Sequence, residues 1–288
     1  MENNNGIKKY ASLVKFSHTI FAMPFAFIGF FLAVSYTDNE FNLLVLLLII
    51  LCMVFARNAA MAFNRYADRE IDKKNPRTAL REIPAGILNA KSVLWFVIIN
   101  SLLFIGTTYF INPLTFYLSP IALVIILGYS LSKRISFLSH LILGLGLSLA
   151  PIGAYLSITG AFELAPLMFS FVVLFWVSGF DVIYALQDED FDKKHQLSSI
   201  PARFGPKKAL RISAILHILS AFTVIGIGVY LNAGLFYSVG AALFIGLLIY
   251  QHTQVKPNDL SRINLAFFTA NGMASIIFAL FVVLDFML

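Results

Sequence analysis

A single cysteine, Cys52, excludes any disulfide within the chain. Charge is also scarce: Asp, Glu, Lys and Arg make up 12% of the 288 residues, against 59% hydrophobic residues. A soluble domain of this length needs a polar surface, and this composition does not supply one. Period-two alternation is missing as well. The apolar runs are continuous, which excludes a strand reading. No aromatic–basic RNA motif accompanies the net charge of +6, so the charge does not point to nucleic acid. No small-residue cleavage site follows the first apolar run, so the residues around Phe27 are read as a retained helix rather than a signal peptide.

What the chain has instead is length of apolar run. Mean hydropathy is +0.83, and stretches of ~20 apolar residues, each enough to cross the hydrocarbon core as a helix, recur along it. They centre near Phe27, Leu51, Leu102, Val124, Leu145, Leu174, Val224, Leu243 and Ile276. The expected fold is an all-α integral membrane protein of about nine transmembrane helices, forming a single membrane domain over residues 1–288. With Lys8, Lys9 and Lys15 placed in the cytoplasm, alternating loops put Arg65 to Lys91, Lys133–Arg134, Lys193 to Arg211 and Lys256 to Arg262 on the same side. The opposite loops carry Asp38, Glu40 and Glu163 and no Lys or Arg. Every loop therefore obeys the positive-inside rule.

Topology requires Lys and Arg on that side, but it does not require carboxylates there. Asp68, Glu70, Asp72, Glu82, Asp181, Asp188, Glu189, Asp190 and Asp192 all fall on it. In the first cluster Arg57, Asn64, Asp68 and Asp72 recur at steps that put them on one helix face. In the second, Asp181, Tyr184, Asp188 and Asp192 do the same. Like charges at i,i+4 destabilise a helix by a few tenths of a kcal/mol each, and a charge in apolar helix costs ~2.5–3.5 kcal/mol. A divalent cation offsets such terms. Mg2+ takes oxygen ligands, keeps several waters, and is usually held by one or two carboxylates plus substrate phosphates. Two such helix ends facing one another would hold metal ions with open positions for a diphosphate, and neighbouring Arg and Lys would complete the anion site. A secondary transporter is the reading from another class, since membrane carboxylates also mark ion paths. Its acids belong near the bilayer midplane on Gly/Pro-broken helices, whereas these sit at cytoplasmic helix ends.

The residues also carry a resemblance. Asn64-x3-Asp68-x3-Asp72, followed by Asn75-Pro-Arg77-Thr-Ala-Leu-Arg81, resembles the first signature of the UbiA superfamily of membrane prenyltransferases. Asp181-x2-Tyr184-Ala-x2-Asp188-x3-Asp192 resembles the second. Tyr129-Ser-Leu-Ser-Lys133-Arg134 is similar to the basic motif closing that family's fourth helix, and Phe267-x3-Asn271-Gly272 to its last helix. Within the superfamily the chain is most similar to 4-hydroxybenzoate polyprenyltransferases. Arg81-Glu82-Ile83-Pro84 and Lys15-Phe-Ser-His18 resemble instead a branch assigned to menaquinone synthesis by the futalosine route.

The resemblance implies Mg2+-dependent transfer of a polyprenyl group from polyprenyl diphosphate to an aromatic acid in quinone biosynthesis. It places the enzyme in the cell inner membrane with its active site facing the cytoplasm. It also implies a metal set of Asn64, Asp68, Asp72, Asp188 and Asp192, with Lys133, Arg77, Arg57 and Arg134 as substrate-binding residues. Lys133 reads as a diphosphate contact or a topology anchor. Arg57 reads as an acceptor-carboxylate ligand or an internal partner of Asp181, and Arg134 is the other carboxylate candidate. Asp181 and Tyr184 are the catalytic candidates, accepting the ring proton or orienting the acceptor's hydroxyl. His18 is expected as a packed polar residue, and Asn264 and Asn271 as interhelical hydrogen-bonding groups.

Overall fold

Backbone polar groups in lipid must be satisfied internally, and a helix does so within one segment. The computed structural model follows that rule. It describes residues 3–14 and 21–288, with side chains from residue 9 onward, so Lys15 and His18 lie outside the described residues. The α-helices run in the order α1 (Asn3–Val14), α2 (Met23–Tyr36), α3 (Leu43–Lys74), α4 (Ala90–Tyr109), α5 (Pro113–Ser132), α6 (Ser139–Thr159), α7 (Leu164–Ala185), α8 (Glu189–Lys194), α9 (Ile200–Phe204), α10 (Pro206–Tyr230), α11 (Leu235–Gln254) and α12 (Asn271–Met287). Among the described residues, 8 segments are long and apolar enough to cross a membrane, and α2 adds a shorter apolar helix. The chain is a multi-pass membrane protein, and the span count agrees with the hydropathy reading.

The described residues group into two compact units, one of residues 3–14 and 47–131, the other of residues 21–46 and 132–288. In the first unit, α3 presents Ala56, Ala59 and Ala62 at steps of three. Small residues at that spacing let helices approach closely where no hydrophobic effect drives them together. Ala59 and Ala62 pack with Leu13, Val93 and Val97. Ala56 packs with Cys52, Phe104 and Leu123. Asn58 of α3 donates to Asn100 of α4 at 3.1 Å, and Asn100 donates to the Phe96 carbonyl at 2.8 Å, so this buried pair is hydrogen-bonded as lipid requires. At the charged end α3 stops at Lys74. Asn75 precedes a proline, which disfavours a further helical residue, and its side chain accepts from the Arg77 N–H at 3.0 Å.

The second unit is organised around α7, whose Trp176, Phe169, Val173 and Val177 are fully buried. A cluster of tilted and edge-on aromatic rings surrounds Trp176, including Phe25, Phe180 and Phe244. Two glycines set the closest helix approaches. A Cβ on Gly29 would meet the Pro151 backbone, and one on Gly144 would meet Ser178 and the Leu174 carbonyl. On another face α10 sends Ser213, His217 and Ser220 to successive α7 carbonyls. Ser213 donates to Gly179 at 2.7 Å and Ser220 to Val172 at 3.0 Å, while His217 Nε2 lies 3.2 Å from the Trp176 carbonyl. Trp176 Nε1 donates to Asn271 at 2.9 Å, the interhelical role expected for that asparagine. The Asn271 amide also donates to the Ala266 and Phe267 carbonyls, at 3.0 and 3.1 Å, and the chain from Leu265 to Ala270 widens into a π-helical turn there.

Candidate functional site

In the first unit the acidic set rests on one uninterrupted helix. Arg57, Asn64, Asp68 and Asp72 all belong to α3, as the spacing predicts. Asp68 and Asp72 are buried, at 1% and 3% exposure. Asn64 Nδ2 donates to Asp68 Oδ2 at 3.3 Å. Arg81, on the loop after α3, donates to Asp72 Oδ1 at 2.7 Å, while Asp72 Oδ2 is buried with no hydrogen-bond partner among the described residues. Beside this pair runs a second buried one. Arg65 Nε lies 3.7 Å from Glu82 Oε2, and Ser12 of α1 donates to Glu82 Oε1 at 2.6 Å. Arg57 reaches the Val14 carbonyl at 3.4 Å and lies within electrostatic reach of Tyr129. Arg77 is exposed.

In the second unit the acidic set straddles a helix break. The spacing of Asp181, Tyr184, Asp188 and Asp192 suits one continuous helix, but α7 ends at Ala185 and a tighter 3-10 turn, Leu186–Asp188, leads into α8. Four carboxylates at 188, 189, 190 and 192 repel along a regular helix, and a 3-10 turn is a common ending where that strain accumulates. Asp192 lies close to the Ser199 hydroxyl and within electrostatic reach of Asp188, Lys133 and His140. The segment between them folds back: the Lys133 carbonyl accepts from Ser198 N–H at 2.8 Å, and the Asp192 carbonyl from Leu197 N–H at 2.9 Å. Asp188 and Asp192 are half-buried, Lys133 is half-buried and Arg134 is exposed. Tyr184 stacks on Phe267, with ring centroids 4.0 Å apart.

Asp181 has a partner that sequence reasoning did not single out. His140, near the start of α6, places Nδ1 2.7 Å from Asp181 Oδ2. Its other nitrogen, Nε2, lies 3.3 Å from the Ile200 N–H at the start of α9. A backbone N–H only donates, so Nε2 is the acceptor and Nδ1 carries the proton that goes to Asp181. The available signal was a histidine on the charged side of the membrane, seven residues after Lys133, where the positive-inside rule asks for none.

The donor chemistry fits Mg2+. All ligand candidates are oxygen donors, and Asp72 keeps one buried oxygen without a partner. Among the described residues no three His, Cys, Asp or Glu side chains converge as a closed cage. An ion that keeps waters and draws oxygens from a phosphate-bearing substrate needs no such cage.

Comparison with known proteins gives the family and the fold. Residues 22–273 match the UbiA prenyltransferase family. A protein of Tolumonas auensis named 4-hydroxybenzoate octaprenyltransferase is 32% identical over 236 residues, covering 81% of this chain and 82% of its own. An apo UbiA homolog from Aeropyrum pernix K1 superposes with a TM-score of 0.84 at 33% identity, covering 94% of this chain and 98% of its own. A UbiA homolog from Archaeoglobus fulgidus, bound to GPP and Mg2+, shares the fold with a TM-score of 0.75 at 21% identity, over 97% of this chain and 100% of its own.

Proposed function

The chain belongs to the UbiA prenyltransferase family, and from that premise we propose that it transfers a polyprenyl group from polyprenyl diphosphate to a 4-hydroxybenzoate-like aromatic acid, with Mg2+. Membership makes it a prenyltransferase rather than a secondary transporter. The observation that carries the finer reading is that each unit has its own acidic set at the end of apolar helix, with a cation in reach: Arg81 paired with Asp72, and Lys133 within electrostatic reach of Asp192. The name of the Tolumonas relative and the GPP and Mg2+ of the Archaeoglobus homolog support it.

In this reading Asn64, Asp68 and Asp72 of the first unit and Asp188 and Asp192 of the second would be ligands to Mg2+, which would supply stabilisation for the charge that grows on the leaving diphosphate. Lys133 and Arg77 bind the diphosphate oxygens directly, as charge-assisted donors. The allylic C–O bond breaks with its electron pair passing to the diphosphate oxygen. A ring carbon beside the phenol forms the new C–C bond with its π pair, and the ring proton leaves to a base. We assign Asp181 to the acceptor, as the carboxylate that orients its hydroxyl and takes that proton, with Tyr184 flanking. Arg134 and Arg57 are the cations for the acceptor carboxylate. Apolar helix walls keep out the water that would quench an allylic cation. The resemblance implies a cell inner-membrane placement, and the charge distribution supports an orientation with the reaction on the cytoplasmic side. A reporter fused after Leu288 is expected to read as external, and a cytoplasmic reading overturns that orientation.

The test is incubation of purified protein with labelled polyprenyl diphosphate, Mg2+ and a panel of aromatic acids. Prenylated 4-hydroxybenzoate is the expected product. Selective prenylation of a futalosine-route precursor moves the acceptor to that branch, and no transfer to any aromatic acid overturns the reading.

A further inference from the structure

The His140–Asp181 pair is built as a buried anchor behind a more open carboxylate. His140 is 5% exposed on its side chain and Asp181 22%. The imidazole is fixed from both sides, by the Ile200 N–H on Nε2 and by Asp181 on Nδ1. With Ile200 N–H as donor, the ring has one tautomer available and one direction in which to donate. Asp181 is therefore held in one rotamer through Oδ2, leaving Oδ1 as the oxygen to meet another molecule. Three helices, α6, α7 and α9, contribute to this arrangement, and the same backbone segment carries Ser199, whose hydroxyl lies close to Asp192.

We propose that His140 is a positioning residue for the aromatic acceptor, acting through Asp181: its Nδ1–H aims the Asp181 carboxylate at the acceptor's hydroxyl and reacting ring carbon. This rests on the assignment of Asp181 to the acceptor. The bond that matters is the one to Asp181. The bond to Ile200 selects the tautomer and ties down the start of α9.

The two nitrogens of His140 can be tested separately. The amide of Asn places its nitrogen near the position of Nδ1, and the longer Gln places its amide near Nε2. His140→Asn therefore keeps a donor for Asp181 and drops the acceptor for Ile200; His140→Gln does the reverse. Expected is a fall in kcat/KM for the aromatic acid of about ten- to a hundredfold in His140→Gln, the range for losing a hydrogen bond to a charged group. His140→Asn should stay within about threefold of the parent. KM for polyprenyl diphosphate should not move in either. Equal activity in both variants, or better activity in His140→Gln, overturns the proposal and leaves His140 as a tether for α9. Melting in detergent is followed alongside. Collapse of both variants, or of His140→Asn alone, overturns it too, because a positioning role leaves the fold standing. Asp181→Asn separates the two levels: if it leaves kcat/KM for the aromatic acid unchanged, the assignment of Asp181 itself fails. If it lowers that value and the His140 variants do not follow the expected order, only the role of His140 fails.

Discussion

The two acidic sets share an i,i+4 spacing and little else. The first lies on a single long helix, with Asp68 and Asp72 almost fully buried and Asp72 fixed by Arg81 at 2.7 Å. The second lies across a helix break, is half-buried, and has a hydroxyl, Ser199, close by and one longer-range cation, Lys133. The comparison shows how a protein can hold carboxylates at the ends of apolar helices in two ways. One set is preorganised by burial and ion pairing, which fixes geometry at a desolvation cost. The other is left partly solvated, where water screens like-charge repulsion and the chain can adjust.

Both sets should nevertheless be needed for turnover, and this is the largest effect expected. Asp68→Ala and Asp192→Ala should each lower kcat at least about a hundredfold, the scale on which a lost transition-state stabiliser is felt, with the protein still folded in detergent. Chelation with EDTA should do the same and be reversed by Mg2+. Near-normal activity in EDTA defeats the metal assignment. Full activity in Asp192→Ala alone breaks the symmetry of the comparison and reduces the second set to a solvated helix end.

Stability should separate the sets in the other direction. Glu82→Ala strands Arg65 in a site where the two side chains are 9% and 4% exposed, and breaking such a pair costs about 3 kcal/mol or more. The Ser12 hydroxyl loses its acceptor as well. The matching change in the second set, Glu189→Ala, removes a pair to Lys193 whose side chain is 49% exposed, and surface pairs of that kind contribute little. Thermal melting of the two variants in one detergent checks this. Equal shifts would mean that burial does not set the worth of these ion pairs.

The spans were legible because lipid imposes one rule on every apolar run. Each expected centre, from Phe27 to Ile276, falls inside a helix. The first acidic set was legible for the same reason: one helix, one period, one face. The break after Ala185 was not, since Asp181 to Asp192 fit a regular helix by spacing, and only the energetics of crowded carboxylates argue against it. His140 was not legible either. Its partner lies 41 residues away, and a single histidine in a sequence gives no sign of what it will face. Glu82 reads in sequence as a departure from the family pattern. In the fold it is the acceptor for Ser12 and the ion partner of Arg65, so the departure has a packing role inside the first unit. The amphipathic α1 escaped the hydropathy reading because its residues are too polar to span.

The smallest effect sharpens the comparison furthest. Ser199 makes two contacts at once. Its hydroxyl oxygen accepts the Ala202 N–H at 3.3 Å as the N-cap of α9, and the same hydroxyl lies close to the Asp192 carboxylate. Ser199→Ala loses both, at about 1 kcal/mol for the cap alone. α9 keeps its Gly205 to Pro201 backbone bond, so the helix should survive. What changes is the freedom of Asp192, and the expected result is a rise of about three- to tenfold in KM for polyprenyl diphosphate, at 1.4 kcal/mol per tenfold, with KM for the aromatic acid unmoved. Ser199→Thr, which keeps the hydroxyl, should restore it. The corresponding change in the first set, Asn64→Ala, removes a longer bond, 3.3 Å, to an aspartate that burial already confines. If geometry in the first set comes from burial and in the second from the Ser199 hydroxyl, losing the Asn64 bond should disturb its aspartate's position less than losing the Ser199 hydroxyl disturbs Asp192. Asn64 is itself a proposed metal-site residue, so the clean readout is the Thr substitution. Rescue by Ser199→Thr supports the hydroxyl as what holds the second set. A KM as high in Ser199→Thr as in Ser199→Ala would show that the half-buried set is fixed by its helix break instead.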